Sequence, residues 1–170
     1  MQAWPAQLPS GHTVQRSVGS QSISVAQRCL VEKTLAKIGG DSGVFETVNS
    51  QNAIEALTRE NLAKYDAVFF YTTGTLLPAG DPRDALLDFV KSGKGFIGTH
   101  SATDTFADFK GYYDFINGTF DGHPWGAGTT STFANHETSH PLVKMFPESF
   151  RYKDEIYQYK EYFAYGVNMG

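Results

Sequence analysis

The chain has 170 residues, a formal net charge of −4 at pH 7 and a single cysteine. The length suits one folded domain, the lack of a basic stripe argues against a nucleic-acid partner, and one cysteine excludes a disulfide framework within the chain. No apolar run approaches the ~18 residues of a membrane-spanning helix, and the first residues resemble no signal peptide, so we expect a cytoplasmic protein with no membrane partner.

Hydrophobic periodicity predicts helices that alternate with short buried strands. Residues 1–20 carry little apolar pattern and are predicted to be an irregular lead-in, after which Ser22 can cap a helix that Gly39-Gly40 ends. The predicted elements that follow are helix 23–38, strand 44–48, a helical turn at 58–62, strand 66–71, helix 81–90, strand 93–99, helix 112–116 and strands within 129–136 and 150–159.

This alternation predicts a mostly parallel, doubly wound sheet. Ligands of such sheets collect at the carboxyl ends of the strands. Thr72-Thr73-Gly74 follows one predicted buried strand and His100 follows the next. We therefore expect these residues to lie on the same edge of the sheet.

The turn after the strand at Phe96-Ile97 holds the most distinctive chemistry of the chain. It resembles the elbow at which α/β enzymes present a reactive side chain, but the elbow position holds His100. An imidazole can donate, accept or transfer a proton near neutral pH, whereas a buried histidine that only fixes the turn is the alternative. Ser101 is one residue past the elbow, and Cys29 falls within the first predicted helix. A cysteine-dependent glutamine amidotransferase is therefore not expected.

Several motifs together resemble one known family. They are Glu60-Asn61-Leu62-Ala63-Lys64-Tyr65-Asp66-Ala67-Val68-Phe69-Phe70, Thr72-Thr73-Gly74, Gly95-Phe96-Ile97-Gly98-Thr99-His100-Ser101-Ala102-Thr103-Asp104, Gly118-Thr119-Phe120-Asp121-Gly122-His123-Pro124-Trp125, His140-Pro141 and Asp154-Glu155-Ile156-Tyr157. In this order they resemble the ThuA-like (trehalose utilisation) family of the class I glutamine amidotransferase-like superfamily. The resemblance implies a flavodoxin-like α/β fold, a three-layer sandwich with a mostly parallel sheet, and a role in sugar catabolism.

The chain departs from the pattern of that family in three places. The family begins with an apolar strand, and Val14 and Val18 are too few to make one, so we expect no regular first strand. The histidine of the following loop would fall near Ser20 and is absent. The family also continues into further strands beyond the C-terminus. We therefore expect a single, truncated ThuA-like domain over residues 21–170.

The candidate site combines residue chemistry with the resemblance. His100, His123 and Glu155 are the predicted catalytic residues. His123 lies in a rigid Gly-His-Pro loop, beside a tryptophan that can stack on a sugar face. The alternatives for His123 and Glu155 are a loop anchored by aromatic packing and a solvated charge pair. The predicted substrate-binding residues are Thr72, Thr73, Gly74, Ser101, Asp104, Trp125, His140 and Tyr157.

Three functions therefore stay open. The first is an enzyme that processes trehalose or a related keto-sugar around His100. The second is a non-catalytic carbohydrate-binding or interaction domain. The third is a zinc-dependent hydrolase, since histidine and glutamate are zinc ligands, although no short ligand motif is present. A small-molecule carbohydrate is the expected partner and a homo-oligomer is compatible with the sequence, which identifies no cofactor.

Overall fold

A computed structural model describes residues 12–17, 25–50 and 52–160, which fall into two compact units, one within residues 1–117 and one within 118–170. The strands of the first unit are β1 (His12–Ser17), β2 (Phe45–Ser50), β3 (Ala67–Phe70) and β4 (Gly95–Gly98). Over the described residues they form one four-stranded sheet in the order β2-β1-β3-β4, and every neighbouring pair is parallel.

The expectation that the chain lacks a regular first strand is wrong. β1 lies inside the sheet, where Val14 is opposite both Thr47 of β2 and Ala67 of β3. A strand in this place is held by backbone hydrogen bonds on both of its edges, and those bonds do not depend on side-chain polarity. The polar sequence His12–Ser17 therefore forms a central strand that an apolar pattern does not reveal. Ser20 and Ser22 lie outside the described residues.

The helices of the first unit follow the predicted order with two differences. They are α1 (Val25–Ser42), α2 (Ala53–Ala56), α3 (Arg59–Leu62), α4 (Asp81–Lys91) and α5 (Lys110–Ile116). The short helix α2 was not predicted, and its N-terminus is capped by Asn52, whose side chain accepts a hydrogen bond from the Glu55 N–H. Helix α1 continues through Gly39-Gly40, contrary to expectation, and ends before Gly43, the residue whose φ of +65° leaves the helical region.

Strand β3 contributes side chains to both faces of the sheet. Val68 and Phe70 are completely buried in the main core cluster, which also contains Leu86 of α4 and Tyr112 of α5. Phe69, together with Tyr71 just past the strand, forms a second cluster with Val31 and Leu35 of α1. The continuous apolar run at 66–71 correctly predicted a strand buried on both faces.

The second unit is made of short antiparallel strands. They are β5 (Thr119–Phe120), β6 (Thr130–Ala134), β7 (Ser149–Lys153) and β8 (Tyr159–Lys160). Among the described residues β5 pairs with β8 and β6 pairs with β7. The strand predicted within 150–159 is therefore two strands with different partners, β7 and the start of β8.

Taken over its described residues, the chain is a mixed α/β protein with small sheets. The one parallel sheet is accompanied by two antiparallel pairs, so a mostly parallel, three-layer sandwich is not confirmed. A single domain over 21–170 stays a prediction. None of the helices in the described ranges combines the length and the apolar character needed to cross a bilayer.

Candidate functional site

The candidate group of the first unit is the rim, which we define as residues 71–74 after β3 and 99–106 after β4. The Thr99 N–H donates to the Phe70 carbonyl at 3.0 Å, the Gly74 N–H to the Asp104 carbonyl at 2.9 Å and the Phe106 N–H to the Gly74 carbonyl at 3.1 Å. The carboxyl ends of two adjacent parallel strands are thus joined through their loops. The prediction that Thr72-Thr73-Gly74 and His100 lie at one sheet edge agrees with this arrangement.

His100 occupies a strained position at the start of the rim turn. Its φ of +54° lies in the left-handed region, which side chains other than glycine rarely adopt. The imidazole is exposed and meets the ring of Tyr71 edge to face, with centroids 5.7 Å apart. An exposed side chain on a strained turn at the end of a strand has the geometry of the elbow that the sequence indicated. The prediction that this strand is buried is wrong, because β4 is only partly buried and Ile97 is 47% exposed.

Buried hydroxyl groups connect the two loops of the rim. The hydroxyl oxygens of Thr72 and Thr105 are 2.7 Å apart, and both residues are completely buried. Thr105 is also hydrogen-bonded to Tyr112, whose hydroxyl donates to the Ala102 carbonyl at 2.8 Å. Burial raises the pKa of Tyr112 above the ordinary tyrosine value, so this hydroxyl stays a neutral donor. Thr72, which the sequence predicted to bind substrate, therefore has a role in supporting the rim.

Thr73 and Asp104 present polar groups at the rim itself. The Thr73 hydroxyl donates to Asp104 Oδ2 at 2.8 Å, and both residues are half-buried. Tyr113 lies close enough for the Asp104 charge to act on it. Burial first, and then the charges of Asp104 and Asp108, raise the pKa of the Tyr113 hydroxyl. Hydroxyl and carboxylate groups held in this way can hydrogen-bond the hydroxyls of a polar ligand.

The two possible nucleophiles, Ser101 and Cys29, lie in different elements of the first unit. Ser101 is half-buried in the rim turn next to His100, and Cys29 is half-buried within α1. Since Cys29 belongs to a helix and not to the rim, the elbow has no thiol nucleophile of its own.

A separate candidate group lies within the second unit, and we call it the tyrosine–glutamate group: Phe120, His123, Glu155 and Tyr157. The Tyr157 hydroxyl donates to Glu155 Oε2 at 2.9 Å. The His123 ring lies 5.9 Å from the Tyr157 ring and 6.0 Å from the Phe120 ring. Burial, followed by the hydrogen bond to Glu155, raises the pKa of Tyr157. Glu155 is half-buried and accepts a hydrogen bond from Tyr157, unlike a solvated surface charge.

The structure places two other predicted residues outside these contacts. Trp125 forms an isolated antiparallel bridge with Ile156, and 45% of its surface is exposed. His140 is exposed in a turn where its Nδ1 accepts a hydrogen bond from the Leu142 N–H at 3.2 Å. His140 thus has a local role in its turn, and its contact with a substrate stays a prediction.

Three residues that contact the rim have no distinctive sequence signal. Thr105 and Tyr113 carried no motif of their own, and Arg83 is a buried residue of α4 that contacts the segment after the rim turn. No local pattern distinguishes a buried arginine from an exposed one, because its partners lie elsewhere in the chain. Within the described ranges, no three histidine, cysteine, aspartate or glutamate side chains are grouped as a metal site.

Comparison with known proteins gives matches at the level of the family and the fold. The sequence profile of the family described as ThuA, trehalose utilisation, matches residues 18–167. A ThuA-like protein from Bacteroides uniformis is similar in structure, with a TM-score of 0.70, 20% sequence identity, and coverage of 92% of this chain and 65% of that one. A ThuA-like protein from Parabacteroides merdae gives a TM-score of 0.63 at 17% identity, with coverage of 86% and 62%. This chain thus spans less than two thirds of either protein. No curated protein matches at a significant level.

Proposed function

The chain belongs to the ThuA (trehalose utilisation) family, and from this premise we propose that its rim binds a sugar and that His100 transfers a proton to or from it. The substrate class is trehalose or a related keto-sugar. The observation that carries the proposal is the exposed imidazole of His100 on a strained turn, with Asp104 in the same turn. Strained backbone persists at functional positions when the surrounding structure holds it in place.

The polar groups of the rim fit a polyhydroxylated ligand. Thr73 and Asp104 are already hydrogen-bonded to each other at 2.8 Å, so their orientation is fixed before a ligand arrives. Groups that are fixed in advance lose little conformational entropy on binding. We assign these two residues to sugar hydroxyls, Gly74 and Ser101 to the walls of the same site, and Thr72 to its support.

The tyrosine–glutamate group is the second element of the proposal. A carboxylate that accepts a hydrogen bond from a neutral tyrosine is held in one orientation, and a histidine beside them adds a group that can exchange protons. We propose His123 and Glu155 as acid–base groups and Tyr157, Trp125 and His140 as sugar contacts in the second unit.

The wider assignments follow from the family. We propose that the parallel sheet belongs to a flavodoxin-like sandwich of the glutamine amidotransferase-like superfamily, since its order β2-β1-β3-β4 matches the first four strands of that fold. We propose a small carbohydrate as partner, without nucleic acid or membrane. A homo-oligomer is compatible with the proposal.

The decisive experiment compares His100→Asn with His136→Asn. Asparagine tolerates the left-handed backbone but does not exchange protons near neutral pH, so His100→Asn changes the chemistry with little change of the fold. His136 is an exposed histidine outside both groups and serves as the matched control. Binding of trehalose and keto-trehalose is measured by calorimetry, and turnover by chromatography of the sugar products.

Each outcome separates the alternatives. Turnover that is lost in His100→Asn and retained in His136→Asn supports the proposal. Turnover that is equal in both variants and the wild type removes His100 from the mechanism. Sugar binding without turnover, unchanged in His100→Asn, favours the non-catalytic carbohydrate-binding domain. One zinc per chain in the purified protein, measured by elemental analysis and required for activity, favours the hydrolase.

A further inference from the structure

Arg83 is a buried cation in the middle of the first unit. It lies on α4 and only 5% of its surface is exposed. Its Nε and Nη2 atoms donate to the Leu77 carbonyl at 3.1 and 2.9 Å, and its Nη1 atom lies 3.1 Å from Asp108 Oδ1. Because a buried charge is costly without partners, this set of contacts accounts for how the protein tolerates Arg83 in its interior.

Two aromatic rings complete the surroundings of the guanidinium group. The Phe106 and Phe109 ring centroids each lie 5.3 Å from the Arg83 Cζ atom, a distance at which a cation is attracted to a ring face. Phe106 is completely buried and has a φ of +57°, in the left-handed region. Arg83 therefore contacts a residue whose backbone is itself strained.

The contacts of Arg83 join the two segments that leave the rim. Leu77 follows the rim loop after β3. Phe106 is the last residue of the rim turn after β4, and Asp108 and Phe109 follow it. Within the rim, the two loops that precede these contacts are bonded to each other through the Gly74 N–H and the Phe106 N–H. A single planar side chain thus contacts both segments just beyond the hydrogen bonds that set the distance between Thr73 and Asp104.

We propose that Arg83 is a positioning residue that fixes the geometry of the rim and so keeps Thr73 and Asp104 in register for a ligand. The effect on a ligand rests on the proposed function, but the effect on the rim does not. Arg83 touches neither the sugar nor the reacting atoms. It acts through Leu77, Phe106 and Asp108.

The test uses Arg83→Lys with Arg59→Lys as the matched control. Lysine keeps the charge but has no planar fork to bond a carbonyl twice, reach a carboxylate and stack between two rings. Arg59 is also paired with two aspartates, Asp81 and Asp88, but it lies on α3, is half-exposed, and both of these partners belong to α4. Amide hydrogen exchange is followed at Gly74 and Phe106, with Val68 in β3 as the core reference.

The expected result is local. In Arg83→Lys, exchange at the Gly74 and Phe106 amides accelerates about tenfold or more relative to Val68, since the hydrogen bonds to a charged group are lost. Arg59→Lys leaves this ratio unchanged. Asp108→Asn, which removes only an exposed partner and does not endanger folding, shifts the ratio in the same direction by a smaller factor. A ratio unchanged in both Arg83→Lys and Asp108→Asn overturns the proposal.

Calorimetry with trehalose separates this proposal from the proposed function. Weaker binding in Arg83→Lys, with unchanged binding in Arg59→Lys, supports both. Unchanged trehalose binding in Arg83→Lys despite faster local exchange overturns the positioning role. Absence of binding in the wild type, together with faster local exchange in Arg83→Lys, overturns the proposed function and supports the fixing of the rim by Arg83.

Discussion

The buried hydroxyl pair of Thr72 and Thr105 allows a stability prediction with a defined magnitude. Valine has nearly the shape of threonine, so Thr105→Val removes a hydroxyl without leaving a cavity. The Thr72 hydroxyl, completely buried and 2.7 Å from its partner, is then left without it. An unsatisfied buried hydroxyl costs about 1–3 kcal/mol. Tyr112 keeps its bond to the Ala102 carbonyl, so it adds little to the loss.

The double variant makes this prediction specific. Adding Thr72→Val to Thr105→Val removes the stranded hydroxyl, so the double variant is expected to be at least as stable as Thr105→Val alone. Replacing both partners of a buried hydrogen bond by apolar groups of the same shape is nearly neutral. The exposed Thr75, in the same loop, provides the control, and Thr75→Val is expected to change stability by less than about 0.5 kcal/mol.

Urea denaturation followed by circular dichroism at the helical band measures these changes, because helices α1–α5 all belong to the first unit. The total free energy of unfolding of a domain is about 5–15 kcal/mol, so a loss of about 1–3 kcal/mol is readily measured. The reasoning is refuted if Thr105→Val is as stable as the wild type, or if the double variant loses the sum of the two single losses.

Two further predictions concern the backbone of the rim and the tyrosine–glutamate group. His100→Gly should be more stable than His100→Ala by about 0.5–1 kcal/mol, because alanine keeps the left-handed strain and glycine does not. At Asp84, which lies in helix α4, the order should be reversed, so that Asp84→Ala is more stable than Asp84→Gly. Thermal melts of the four variants would contradict this prediction if both sites gave the same order. Since the pKa of Tyr157 is raised in the folded state, its stabilising effect is complete below about pH 10 and is lost as the pH rises from there towards the folded-state pKa. Melting temperatures between about pH 9 and 11 should therefore fall more steeply for the wild type than for Tyr157→Phe, and equal slopes would show that the pair is not coupled to folding.

Local chain chemistry was sufficient to predict the centre of the first unit. The apolar run at 66–71 and the glycine-flanked strand before His100 are short and continuous in sequence, and each became a strand of the parallel sheet, although only the first is buried. Their order along the chain also predicted that Thr73 and His100 share an edge, since parallel strands joined by helices end on the same side. The family followed from the same motifs.

The tertiary structure alone decided the features that depend on partners distant in the sequence. The polar segment His12–Ser17 became the strand β1 because β2 and β3 form backbone hydrogen bonds along both of its edges. The sequence of those six residues does not by itself predict a strand. Thr72 and Thr105 are 33 residues apart, and Arg83 meets Phe106 and Phe109 only after α4 has folded against the segment beyond the rim. Backbone pairing and buried polar contacts are satisfied between segments, so their energy is not carried by any local pattern. The sequence therefore identified which residues could do chemistry, and the fold determined which of them are held in place to do it.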